Sequence, residues 1–387
     1  MIARRRGTGT TAREHASIGG CDVGVDQAQH AERRDALVGR LFEATLGTFD
    51  LFTVYLGDRL GLYRALGASG AMTSSELAVQ TGLSERYVHE WLEQQATTGF
   101  VEVDDVSTHG SERRYRLPPG HDEVLLDGDS LSFFVPFLRL VVGVTRPLPA
   151  ILDAFRTGGG VAYPEYGADT REGIAEGNRP MFINLLGTAW LPAIPDVHAR
   201  LGAGPSARVA DVGCGSGWSS IAIARAYPGV RVDGFDVDPA SIELARANAA
   251  AAGLADRVRF TLVDAGGSGL SGNYDLVTAF ETIHDMARPI EALANLRAMV
   301  GEDGAVVIAD ERVGDTFGAI GDPTERFMYG FSVLHCLPVG MAESPSAGTG
   351  SVLRPPMLRR YALAAGFRDV EILPIENDFW RFYRLLV

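Results

Sequence analysis

The chain has 387 residues, 46% hydrophobic and 22% charged, enough apolar material for a sizeable core and room for more than one domain. Its 49 acids outnumber 35 bases, for a formal charge of −14, which argues against a large phosphate-binding face because nucleic-acid affinity rests on Lys and Arg. No apolar run reaches the roughly 18 residues of a bilayer span, and Cys21, Cys214 and Cys336 lie far apart without metal-ligand spacing; the expectation is a reduced, cytoplasmic protein with no metal and no membrane association.

Residues 1–33 are rich in Gly, Thr, Arg and Ala without apolar periodicity and read as a disordered leader. The basic start "MIARRRGTGTTAREH" lacks a following apolar segment, so it does not read as a secretory signal. From Ala36 the pattern changes: Leu37, Leu41, Phe42, Leu46, Phe49 and Phe52 fall at helical spacing and need a covering domain or a second subunit. Thr73 and Glu76 then have capping-box spacing. Ser84 is placed to cap a second helix carrying Val88, Trp91 and Leu92, and "FVEVD" and "RRYRL" alternate as a hairpin. Helix, turn, helix and hairpin predict a winged helix within a helical domain over 34–128. Residues 129–200 read as a helical linker and lid with a Gly- and Tyr-rich interruption over 156–173.

Residues 201–387 alternate strand and helix patterns, with strands at "RVADVG", "RVDGFDV", "RVRFTLVDA", "YDLVTAFE", "AVVIADERV" and "RFYRLLV" and helices from Trp218, Pro239, Pro289 and Pro356. Near-continuous apolar strands predict an α/β, Rossmann-like, mostly parallel sheet covered on both faces, with seven strands expected in all, one more than these six runs. Ligands of such sheets sit at the carboxyl ends of the strands, where "DVGCGSG" places Gly213, Gly215 and Gly217 after Asp211. A dinucleotide fold would put its third glycine where this chain has Trp218, which weighs against an NAD-dependent oxidoreductase. Asp236 ends the second strand about twenty residues on, where a carboxylate can accept ribose hydroxyls.

The pattern "DVGCGSG" resembles the first motif of class I S-adenosylmethionine-dependent methyltransferases. The resemblance implies that cofactor, an acid (Asp211) near its cationic groups, and an adenine-contacting acid at Asp264. Trp218, Val237, Ala265, Phe280 and Glu281 complete the cofactor-binding set so implied, and Asn184, in "MFINLLGTAW", is added from the preceding helix. After the fourth strand, "FETIHDM" is similar to the His-Asp pair of small-molecule O-methyltransferases, which also carry a winged-helix dimerisation domain. That resemblance covers most of the chain from about residue 40. It implies His284 as general base, Glu311 of "ADERV" as the acid supporting it, and a homodimer. Asp285 is expected to point elsewhere and fix the loop. The chain departs from the O-methyltransferase pattern at Glu281 and Met286, where tryptophans are usual. It is also similar to uncharacterised actinobacterial methyltransferases of the same two-domain plan.

An ordinary imidazole, with a pKa near 6.5, suits base catalysis at neutral pH. Residues 315–350, too long for a plain crossover, read as a substrate wall with Tyr329, His335 and Cys336, faced by Tyr163 and Tyr166 of the lid. The expected activity is methylation of a small molecule, of the secondary-metabolite kind. The alternative is a ligand-sensing DNA-binding regulator. Its recognition helix would carry Glu85, Glu90 and Glu93 against Arg86 and meet phosphate with net negative charge.

Overall fold

The computed structural model describes residues 21–204, 207–267 and 269–387, in two compact units, Met1–Phe52 and Thr53–Val387. The first twenty residues of the expected leader, and with them the signal-peptide question, lie outside the described residues. The rest of that leader is helical, for α1 (Cys21–Arg59) starts well before Ala36. Ala, Gln, Glu and Arg there are good helix formers, and propensity extends the helix without an apolar stripe. Leu37, Leu41, Phe42, Phe49 and Phe52 on this helix are exposed.

The winged helix follows as α2 (Leu62–Ser69), α3 (Ser74–Thr81), α4 (Glu85–Thr97) and the antiparallel pair β1 (Glu102–Val103) and β2 (Tyr115–Arg116). Thr73 and Glu76 make the reciprocal capping box that their spacing predicts, whereas Ser84 starts α4 without a side-chain cap bond. Val88, Trp91 and Leu92 of α4 are buried against Tyr63 and Leu77. The opposite face of α4 exposes Glu85 and Glu90, while Glu93 is tied to Arg113 at 2.7 Å. This surface is anionic where a DNA-reading helix needs cations.

Helix α5 (His121–Leu125) follows the hairpin, and α6 (Val135–Val144), α7 (Leu148–Thr157), α8 (Gly167–Met181) and α9 (Pro195–Gly202) fill the linker, with a π-helical stretch at Phe182–Trp190. The interruption expected over 156–173 is shorter. A single 3-10 turn at Tyr163–Tyr166 leads directly into α8, whose first turn carries Asp169 at the positive end of the helix dipole. Among the described residues no single helix is long and apolar enough to cross a membrane.

The sheet comprises β3 (Arg208–Val212), β4 (Arg231–Asp236), β5 (Val258–Leu262), β6 (Tyr274–Phe280), β7 (Val300–Glu311), β8 (Asp369–Ile372) and β9 (Trp380–Leu386), in the order β5-β4-β3-β6-β7-β9-β8. The first five are mutually parallel, and β9 runs antiparallel between β7 and β8. Helices α10 (Trp218–Ala226), α11 (Pro239–Ala251), α12 (Pro289–Met299), α13 (Pro323–Phe331), α14 (Leu337–Gly340) and α15 (Pro355–Ala364) complete the domain. The central strands are almost wholly buried, as their apolar runs predict. From β5 the chain crosses β4 and β3 to reach β6, so the strand order reverses beside β3 and opens a crevice at its carboxyl end.

Candidate active site

A cavity of about 530 Å³ opens at the carboxyl ends of β3, β4, β6 and β7. Gly213, Gly215 and Gly217 all have left-handed φ, at 71°, 51° and 82°, which other residues rarely adopt. Space divides their tasks. A Cβ on Gly217 would lie 2.6 Å from Phe260, so this glycine lets α10 pack down on the sheet. A Cβ on Gly215 would meet nothing within 4 Å, because this residue faces the open side. Gly213 and Gly215 line the cavity with Trp218, and Gly217 does not.

Asp211 departs from the expectation of a ligand-facing acid. It is 1% exposed, absent from the cavity wall, and accepts bonds from Ser219 and Ser220 (both 2.6 Å) and Thr278 (2.9 Å). Burial raises its pKa against the pull of those hydroxyls. With both oxygens engaged, Asp211 pins the turn from below. Asp236 stands in the cavity wall, its two oxygens held at 2.8 Å by the amides of Gly215 and Asp238. Desolvation pushes its pKa up. Asp238 caps α11 and takes Arg171 of α8 at 2.7 Å, tying α8 to the sheet. Desolvation of Asp238 is outweighed by Arg171 and Ser241, which lower its pKa. Asp264 receives the Gly266 amide at 2.7 Å and Arg288 at 2.6 Å, and lines the same cavity with Val237, Ala265 and Phe280.

His284 sits on a 3-10 turn just beyond β6, 2% exposed and facing the cavity. Its Nδ1 lies 2.9 Å from Oδ1 of Asp310, which is fully buried. The supporting carboxylate is therefore Asp310 and not Glu311. Neighbours on a strand point to opposite faces, and the strand register turns Asp310 to the histidine. Asp285 also departs from expectation, since its Oδ1 approaches His284 Nε2 at 3.3 Å. Desolvation disfavours the imidazolium, but Asp310 and Asp285 outweigh it and hold the His284 pKa well above 6.5. The imidazolium is thus favoured more than in an ordinary histidine, unlike the unperturbed group assumed from sequence. Asp285 is desolvated, yet His284 draws its pKa below the ordinary value.

Glu311 does line the cavity together with Glu281, close enough for each carboxyl group to act on the other's protonation. Desolvation and Glu281 push Glu311 well up, and desolvation raises Glu281. Glu281 has a φ of 54°, a conformation that costs a non-glycine residue on the order of 1–3 kcal/mol and clusters at functional sites. Asn178 of α8 donates to its carboxylate.

Of the substrate residues expected from sequence, Tyr163, His335 and Cys336 line the cavity. Tyr166 stands behind the wall, with its hydroxyl on the Leu334 carbonyl at 2.9 Å and its ring 4.7 Å from that of His335. Tyr329 turns out to solvent and meets Arg354 at 3.2 Å. Asn184 is exposed, and its amide serves the carbonyls of Asp129 and Pro180. Sequence reasoning missed Asp310, Asn178, Arg171 and the aromatic wall of Phe137, Phe327, Phe379 and Trp380. For Asp310 the signal was present, as an acid adjoining Glu311 at a strand end. The donor atoms of His284, Asp285 and Cys336 lie within 4.8 Å of one another. A divalent ion there would have to displace the Cys336 proton, which burial holds on the sulfur.

A glycine turn, strand-end carboxylates and a histidine share one crevice of a Rossmann-like sheet that follows a winged helix. In agreement, residues 210–306 match the family model described as a methyltransferase domain, and residues 50–126 match the Rv2258c-like winged HTH domain. Curated relatives share shorter stretches. The polyketide synthase ThaQ of Burkholderia thailandensis is 30% identical over 103 residues, 27% of this chain and 5% of that protein. The tRNA1(Val) (adenine(37)-N6)-methyltransferase of Porphyromonas gingivalis is 36% identical over 74 residues, 18% of this chain and 29% of that protein. The chain thus spans less than a third of these two relatives. Among solved structures, the mitomycin 7-O-methyltransferase MmcR has a TM-score of 0.66 at 18% identity, covering 92% of this chain and 99% of that one. Human N-acetylserotonin methyltransferase in complex with SAM has a TM-score of 0.67 at 17% identity, covering 90% and 97%.

Proposed function

We propose that the protein transfers a methyl group from S-adenosylmethionine to a small molecule, of the kind made in secondary metabolism. One observation carries the reading. The glycine turn, the carboxylates of Asp236 and Asp264, and His284 all face one cavity of about 530 Å³. The fit to the cofactor is specific: Gly215 leaves open space where a side chain would project, and the backbone amides on Asp236 fix a carboxylate for ribose hydroxyls. Gly213, Gly215, Trp218, Asp236, Val237, Asp264 and Ala265 would hold it.

When bound, the cofactor supplies a methyl group on a sulfonium, open to in-line attack. The chain's own work is to place the acceptor and manage its proton. Asp310 keeps a proton on His284 Nδ1, and Nε2, which Asp285 approaches at 3.3 Å, is the nitrogen that would meet the acceptor. Once Nε2 has lost its proton it can take the acceptor's, and Asp310 stabilises the imidazolium so formed. Arg171, bonded to Asp238, holds α8 over the opening and limits entry of water.

We further infer a two-fold dimer built on α1, because Leu41, Phe42 and Phe49 are each about 60% exposed there and such a stripe calls for cover. Calorimetry with S-adenosylhomocysteine tests the cofactor reading. Micromolar binding is expected, and no binding at millimolar concentration overturns it.

A further inference from the structure

Glu281 and Glu311 end adjacent parallel strands, β6 and β7, where the amide of Glu281 donates to the Ala309 carbonyl at 2.8 Å. Glu311 pairs in register with Trp380 of β9, and Glu281, Glu311 and Trp380 all line the cavity. Glu311 lines the cavity although it is only 4% exposed, and its Oε2 is buried with no hydrogen-bond donor on it. A buried carboxylate oxygen left without a partner at a cavity wall is costly unless a ligand answers it.

The surrounding wall is aromatic. Phe137 lies 6.2 Å from Phe327 and 6.3 Å from Phe379, centroid to centroid, and Trp380 closes the side beside the two acids. Rings combined with carboxylates make a site for a cation, since ring faces and carboxylate oxygens both attract positive charge. The other charged groups acting on the pair are His284, which Asp310 and Asp285 engage, and Asp310 itself. The arginine in the cavity wall, Arg288, is bonded to Asp264.

We propose that the Glu281–Glu311 pair is the subsite for a cationic nitrogen on the methyl acceptor, which is therefore an aryl-alkyl amine. The inference rests on the methyltransferase reading and narrows its substrate class. In the empty pair one carboxyl group keeps its proton and donates it to the other, so the pair carries a single charge. An ammonium seated against both oxygens favours the doubly ionised pair. The carboxyl O–H bond then breaks, its electrons stay on oxygen, and the proton leaves to solvent.

The test is calorimetric, on the full chain saturated with S-adenosylhomocysteine. The probes are two matched pairs, tyramine against tyrosol and tryptamine against tryptophol, each in two buffers of different ionisation enthalpy. Each amine is expected to bind about tenfold or more tightly than its alcohol and to release up to one proton at pH 7. Glu281→Gln and Glu311→Gln should each remove the preference and the proton release. Amines that bind no better than their alcohols up to 10 mM overturn the proposal, whether or not the variants fold. So does a Glu281→Gln protein that loses cofactor affinity while the amine keeps its advantage, because the pair would then serve the cofactor. Failure of S-adenosylhomocysteine to bind, read in a separate titration, would sink the methyltransferase reading. The amine–alcohol comparison on the same protein still decides the pair.

Discussion

Asp310→Asn isolates the charge that governs His284. The substitution keeps an acceptor oxygen 2.9 Å from Nδ1 and the shape of a fully buried side chain, and removes only the negative charge. A hydrogen bond to a charged partner contributes about 1.5–3 kcal/mol against about 1 for a neutral one. The difference, roughly 1–2 kcal/mol, corresponds to about one pKa unit or slightly more. Asp285, at 3.3 Å from Nε2, remains to hold part of the rise. The assay is NMR titration of the imidazole Cε1–H resonances. The chain has eight histidines, so His284→Gln identifies the signal by its loss. In the wild type this signal should titrate well above 6.5, and in Asp310→Asn about one unit lower. The sign for stability follows. A histidine whose folded pKa is raised contributes stability that is fully present below its unfolded pKa near 6.5 and lost as pH rises through the folded value. Asp310→Asn should therefore destabilise the protein more at pH 6 than at pH values above the raised pKa. A His284 signal that titrates at or below 6.5, or one that Asp310→Asn leaves in place, would refute the reasoning.

Three further outcomes are expected. Asp236→Asn should weaken S-adenosylhomocysteine binding by roughly 1.5–3 kcal/mol, or about 10- to 150-fold by calorimetry, because ribose hydroxyls lose a charge-assisted partner; unchanged affinity would remove its ribose role. Asp211→Ala should cost about 3 kcal/mol or more in denaturant unfolding, since three buried hydroxyls lose their acceptor; a stable variant would show that the carboxylate does not pin the turn. Phe42→Glu combined with Phe49→Glu should convert a dimer to monomer by light scattering, and a mass unchanged by the pair would exclude α1 as the dimer face.

The strand-end acids were readable because a parallel sheet ties sequence to place. Each apolar run ends at the same edge, so Asp236 and Asp264 had to reach one crevice whatever the loops did. What escaped was anything decided by register or by a neighbour distant in sequence. Choosing between Asp310 and Glu311 needs the pairing of β7 with β6 and β9, which no local pattern states. β8 escaped as well: "DVEI" is a short, polar edge strand recognisable only from its partner β9. Tyr329, in α13, and Asn184, in the π-helical stretch Phe182–Trp190 that departs from 3.6-residue counting, sat in plausible segments but turn away from the cavity.

The acids around this crevice also show why charge alone is a poor guide to role. Asp211 is saturated by hydroxyls and holds the turn, while Asp236 is held by backbone amides and keeps its cavity face. Asp310 is aimed at a histidine, and Glu311, one residue on, meets another carboxyl group instead. The same functional group thus does four jobs, set by what else touches it. The departure at Glu281 fits this logic. A carboxyl group in a left-handed backbone stands near Glu311 where the O-methyltransferase pattern has a tryptophan, and the amine subsite proposed above would follow from that exchange.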